Sequence, residues 1–141
     1  MAIKKEPKDG YIFDFISGNE VKATPVEIDA VQVYSKILVE DYGYPKEHIQ
    51  THPQHRVKVR PSDTKKEYPV DIAVFPNSKK EENDISIIIE CKKKNRKDGK
   101  TQLQDYLRFS RSPIGVWFNG EERLFIKIIE KDGKILFEDI P

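Results

Sequence analysis

At 141 residues and a net charge of +1, the chain is long enough for one domain with a buried core, and 35% charged with 37% hydrophobic residues describes a globular protein rather than a disordered one. Its apolar runs, such as residues 85 to 89, are far too short to span a membrane, and no signal peptide follows Met1-Ala2-Ile3-Lys4-Lys5. One cysteine excludes an internal disulfide and a four-thiolate iron–sulfur cluster, and it suits a cytoplasmic protein with no membrane partner.

Residues 1 to 23 read as an N-terminal extension: a polar start, a candidate short strand at Tyr11-Ile12-Phe13-Asp14-Phe15-Ile16, and a stop at Ser17-Gly18-Asn19. Residues 24 to 141 read as one domain. Thr24 with Glu27 makes a capping box, Pro25 takes the first helical position, and Ile28, Val31, Ile37 and Leu38 give a helical apolar pattern to about Tyr42, where Gly43 and Pro45 end it. Residues 55 to 60, 68 to 75 and 85 to 92 follow as strands, and 102 to 109 as a second helix. Strands at 114 to 118, 124 to 129 and 135 to 138 finish the sheet, joined by Asn119-Gly120 and Asp132-Gly133 turns. This order is α/β: a mixed β-sheet flanked by helices.

Ile87-Ile88-Ile89-Glu90-Cys91-Lys92 carries the chemistry. Three β-branched residues predict a buried, central strand, and period-2 alternation puts Glu90 and Lys92 on one face with Cys91 on the other. Asp71 sits in Tyr68-Pro69-Val70-Asp71-Ile72-Ala73-Val74-Phe75, and the polar stretch 76 to 84 lets the two strands pair as an antiparallel hairpin. Two carboxylates and a lysine would then converge. Hard oxygen donors on neighbouring strands suit Mg²⁺, which takes one or two carboxylates together with waters and phosphate oxygens. A lysine beside them can orient a water or offset charge on a phosphate, a layout for phosphodiester hydrolysis.

These residues resemble the PD-(D/E)xK nuclease superfamily and, within it, the N-terminal nuclease domain of the R subunit of type I restriction enzymes. Thr24-Pro25-Val26-Glu27 and Asp41-Tyr42-Gly43-Tyr44-Pro45 are similar to the opening and exit of that family's first helix. Gln102 and Tyr106 match its Q-x-x-x-Y element, and Val116-Trp117-Phe118-Asn119-Gly120-Glu121-Glu122 looks like its hairpin. The resemblance, over roughly residues 24 to 130, implies a restriction-endonuclease-like core, with Asp71 and Glu90 on Mg²⁺ (Mn²⁺ as a substitute), Lys92 at the nucleophile, and Glu27, Gln102 and Tyr106 in support. It implies double-stranded DNA as substrate and the methylase and specificity subunits as partners. ATP would act only through a motor domain, since G-x-x-x-x-G-K-[ST] does not occur in this chain. The sequence departs from the family pattern at Pro69-Val70, where a basic residue often precedes the aspartate, and Cys91 merely fills the variable position. An ending on Phe137-Glu138-Asp139-Ile140-Pro141 suggests a fragment of a longer R subunit.

The charge is unevenly spread. Between residues 92 and 111 lie Lys92, Lys93, Lys94, Arg96, Lys97, Lys100, Arg108 and Arg111 against only Asp98 and Asp105. A lysine run is by itself most often a solvated loop, but its place beside Glu90 and Lys92 makes it a candidate phosphate contact. Glu-x-Lys alone is more often a surface ion pair, Asp71 alone could be a turn residue, and Glu27 could be only a capping acid. His48, His52 and His55 do not suggest zinc, because Pro53 breaks any helix that would gather them and no acid stands at metal spacing; an exposed loop and strand edge is the expectation. Two alternatives stand beside the nuclease: a DNA-binding or assembly module without turnover, and a stand-alone nuclease acting on structured DNA or RNA.

Overall fold

A computed structural model describes residues 6–57, 68–81, 84–93, 100–110 and 112–140. Strands β1 (Tyr11–Phe13) and β2 (Glu20–Lys22) form an antiparallel hairpin. A helical segment, α1, follows, in which wide turns at Glu27–Val31 and Ile37–Asp41 flank a regular stretch at Gln32–Lys36. Short strands β3 (Ile49–Gln50), β4 (His55–Val57), β5 (Tyr68–Val70) and β6 (Ile72–Val74) lead to β7 (Ile87–Cys91). Helix α2 (Lys100–Ser110) and strands β8 (Ile114–Phe118), β9 (Arg123–Lys131) and β10 (Lys134–Ile140) complete the described chain.

The main sheet has six strands in the order β10-β9-β8-β7-β6-β3. Strands β7 and β8 are parallel and the other pairs antiparallel, so the sheet is mixed and α2 lies on the crossover between its parallel neighbours. β7 is central and buried at every position, as an Ile-Ile-Ile run predicts. Its alternation divides the core in two. Ile87, Ile89 and Cys91 pack with Ala30, Tyr34 and Leu38 of α1, whereas Ile88 packs with Leu103, Tyr106 and Leu107 of α2. The sheet is therefore a middle layer, and the face of Ile88 is also the face of Glu90.

Several expectations hold, with shifted boundaries. The strand expected at 55 to 60 is described only as His55–Val57, residues 58 to 60 lying outside the described chain. Asp132-Gly133 is a two-residue turn with both φ angles positive, +53° and +75°, as a hairpin of matching twist requires. The Asn119-Gly120 turn is longer than expected. Phe118 pairs with Arg123, and Asn119 Oδ1 accepts the backbone N–H groups of Glu121 and Glu122, which closes a four-residue loop. Gly120 is required there, since its φ is +91° and a Cβ would stand 2.9 Å from the Asp29 carbonyl oxygen of α1. On α1, Val31 and Leu38 are buried as the pattern requires, but Ile28 is exposed.

The stretch expected as one strand from Tyr68 to Phe75 is broken at Asp71. β5 pairs with β4 in a separate two-stranded ladder, while β6 pairs with β7 and β3 in the main sheet. In register, Ile72 faces Ile89, so the next pairing outward would set Asp71 against Glu90. Like charges directly opposite are unfavourable, and the chain bends instead.

Candidate active site

The bend at Asp71 turns its side chain into a substitute for the ladder. Asp71 Oδ2 accepts the Cys91 backbone N–H at 2.8 Å, and Oδ1 accepts Gln54 Nε2 at 3.3 Å. One residue before Cys91, the buried Glu90 places Oε1 3.5 Å from Lys92 Nζ. Lys92 is itself fixed by donating its backbone N–H to the Phe118 carbonyl at 2.9 Å. Asp71, from the strand before, thus joins Glu90 and Lys92 where β7 ends. Burial pushes the Asp71 carboxyl above its usual value; the Cys91 N–H, Lys92 and His52 oppose this, and the negative charge of Glu27 adds to it. Burial likewise pushes the Cys91 thiol well up, with Asp71, Glu90 and Glu27 reinforcing the shift, so the thiol stays protonated and inert.

A second group of polar side chains adjoins these. Thr24 Oγ1 accepts the Glu27 N–H at 3.2 Å, as a capping box predicts, but the Glu27 carboxylate does not return to the cap. Glu27 Oε1 instead accepts Gln32 Nε2 at 2.8 Å and pairs with His52 Nε2 at 3.0 Å. The orientation of Gln32 is unambiguous, because Phe15 N–H donates to its Oε1 at 2.8 Å and leaves the amide nitrogen for acids. That nitrogen also donates to Asp14 Oδ1 at 2.8 Å, while Asp14 Oδ2 accepts Ser17 N–H, Ser17 Oγ and Thr51 Oγ1. Burial alone would raise the Asp14 carboxyl, yet the bonds from Thr51, Gln32 and Ser17 outweigh it and hold the group below its usual value. His52 is raised, first by its bond to Glu27 and, against burial, by the charges of Glu27, Asp14 and Asp71.

Asp14, Glu27 and His52 bring ligand atoms within 4.8 Å of one another, a set compatible with a divalent cation. The expectation that no acid joins the histidines is therefore corrected at His52, which the fold carries to Glu27 across 25 residues. Among the described residues His48 and His55 do not join that set; His55 meets the Phe75 ring edge-on at 5.6 Å.

The remaining sequence candidates are dispersed. Tyr106 is buried between α2 and the sheet, its ring 6.5 Å from that of Tyr68. Gln102 and Lys100 lie on α2, their side chains outside the described residues. Lys93 is exposed, and Arg108 is exposed 3.9 Å from Asp105 and over the Phe137 ring. Lys94, Arg96, Lys97 and Arg111 lie outside the described residues. Sequence reasoning missed Asp14, Gln32, Thr51 and Gln54, which carry no periodic or motif signal, and set His52 aside as an exposed loop residue. Their contacts join segments 17 to 37 residues apart.

A mixed sheet that ends in an Asp, a Glu and a Lys, beside a further Glu on the first helix, defines an α/β protein with an acidic, cation-compatible site. More particularly, the chain belongs to the family of the type I restriction enzyme R protein N terminus, whose family model matches residues 29–141. That match includes Gln32, His52, Asp71, Glu90 and Lys92, while Asp14 and Glu27 precede it. No curated protein and no solved structure matches the chain. No helix among the described residues is long and apolar enough to cross a membrane.

Proposed function

We propose that the chain is a Mg²⁺-dependent DNA endonuclease domain with a PD-(D/E)xK core, hydrolysing phosphodiester bonds within an ATP-driven restriction complex that includes methylase and specificity subunits. The observation that carries this reading is the meeting of Asp71 with the Glu90–Lys92 pair at the end of β7. Burying a carboxylate at a strand break costs stability, and its raised proton affinity is the mark of a group held ready for a cation or proton.

The donor set fits the metal. Asp71 and Glu90 supply hard carboxylate oxygens; Asp71 Oδ1 accepts Gln54 Nε2 and Oδ2 accepts the Cys91 N–H, and each oxygen carries two lone pairs. Asp71 and Glu90 would hold Mg²⁺, which when bound supplies an acidified water and neutralises charge on the phosphate. Lys92, half-buried, orients the attacking water and stabilises the added charge on the phosphate oxygens. Glu27 stands ready as an acceptor for that water's proton or as its orienting partner. Lys93, Lys94, Arg96, Lys97, Lys100, Arg108 and Arg111 would contact DNA phosphates, giving affinity that falls steeply with salt.

Lys92→Ala is the test. In the R protein assembled with its partner subunits, DNA cleavage is expected to fall about 10²- to 10³-fold, with DNA affinity changed little. Undiminished cleavage would refute the nuclease assignment, and DNA affinity indifferent to Mg²⁺ with no cleavage by the wild type would favour a binding module.

A further inference from the structure

The loop from Thr51 to Gln54 has no part in the chemistry outlined above, yet it touches three acids in succession. Thr51 Oγ1 donates to Asp14 at 2.5 Å, His52 Nε2 meets Glu27 at 3.0 Å, and Gln54 Nε2 donates to Asp71 at 3.3 Å. The loop is itself tied down. Gln50 Nε2 donates to the Pro53 carbonyl at 3.0 Å, and Asn19 Nδ2 donates to the His52 carbonyl at 3.1 Å. From the opposite side Gln32, locked by the Phe15 N–H, spans Asp14 and Glu27.

We propose that this loop and Gln32 form a bracket in which His52, Gln54 and Gln32 are positioning residues, setting the carboxylates of Glu27 and Asp71 in a fixed relation across the active site. The proposal rests on the nuclease reading. The physical need is plain: the charges of Glu27 and Asp71 oppose each other, and such a pair splays apart unless donors hold both members. His52 and the Gln32 amide supply those donors to Glu27, and Gln54 with the Cys91 N–H supplies them to Asp71. Asp14 is the anchor of the bracket rather than an open cation ligand, because its two oxygens already accept four protein donors. Residues that orient a ligand or reactive group through one hydrogen bond commonly contribute tenfold to a hundredfold.

Two readouts decide it. In the metal-free chain, the His52 Nε2 proton should be protected from exchange and visible by NMR in the wild type, and lost in Glu27→Ala. In the assembled R protein, His52→Ala should lower the maximal cleavage rate by about 10- to 100-fold with little change in the Mg²⁺ concentration giving half the maximal rate. His52→Gln, whose amide nitrogen can take the place of Nε2, should restore most of it. An unprotected His52 proton, full cleavage by His52→Ala while Asp71→Asn is inactive, or no rescue by His52→Gln would overturn the bracket alone. Full cleavage by Asp71→Asn would overturn the nuclease reading and the bracket with it. Divalent-ion binding that survives Asp71→Asn and disappears in His52→Ala would overturn it in favour of a cation seat at Asp14, Glu27 and His52.

Discussion

Asp71→Asn is expected to lower DNA cleavage by the assembled R protein by roughly three orders of magnitude or more while making the domain more stable. The opposite signs have one cause. The folded state raises the proton affinity of Asp71, chiefly through burial, so the ionised group is a cost that appears as pH rises through its folded pKa. Asn keeps an oxygen for the Cys91 N–H and can meet a reoriented Gln54 amide, but it carries no charge to bury or to offer a cation. A gain of about 0.5–2 kcal/mol is expected at neutral pH, shrinking to nothing in acid, where wild-type Asp71 is itself protonated. Denaturant melts at pH 7 and pH 3 read this directly. A variant both inactive and destabilised would show that Asp71 is a structural strand breaker rather than a strained functional group.

Asp14→Ala should be the most damaging single change to stability outside the apolar core. Asp14 is 2% exposed, and its removal takes the acceptor from the buried Thr51 hydroxyl and one of two acceptors from the buried Gln32 amide, and unties the Ser17 turn at the surface. Leaving such groups unsatisfied costs about 3 kcal/mol, or roughly 10 °C in melting temperature for a domain of this size. The pH dependence has the opposite sign to that of Asp71. Hydrogen bonds hold the Asp14 carboxyl below its ordinary value of 3.8, so its contribution is present above that pH and is lost as pH falls through the folded pKa. The gap between wild type and Asp14→Ala, followed by thermal melting, should therefore be full at pH 7 and narrow below pH 3.8. A constant gap would place the cost in lost packing instead.

How much of this was legible beforehand depends on the range of the interaction. The Ile-Ile-Ile-Glu-Cys-Lys segment declares itself through period-2 alternation, and β7 is central with Glu90 and Lys92 beside one another, as that period requires. The pairing of the Asp71 and Glu90 segments was equally local, an antiparallel hairpin across one polar loop. What propensity could not show is that the strand breaks at Asp71. Val70 and Ile72 are both strand formers, and only the register that would oppose Asp71 to Glu90 makes the bend preferable. Glu27 was visible as a capping acid, yet its carboxylate serves Gln32 and His52, because a buried amide and a half-buried imidazole offer stronger partners than an exposed helix start. Asp14 and Gln32 were illegible, and His52 was set aside, for a simpler reason. Isolated polar residues carry no periodicity, and what unites them is a tertiary fold that brings the β1–β2 hairpin, α1 and the loop after β3 together. Tyr106 shows the converse: its i to i+4 spacing from Gln102 placed it on one helix face, and that face packs it into the core.

The most direct measurement is a calorimetric titration of Mg²⁺ into the chain and into its Asp71→Ala, Glu90→Ala double variant, each with a short DNA duplex present. An open two-carboxylate site gains its remaining oxygen ligands from phosphate, so DNA belongs in the cell. Saturable Mg²⁺ binding by the wild type that is lost in a folded double variant is the predicted result. Identical binding isotherms for the two proteins would contradict the account, leaving Asp71 and Glu90 as structural residues in a fold that does not cut.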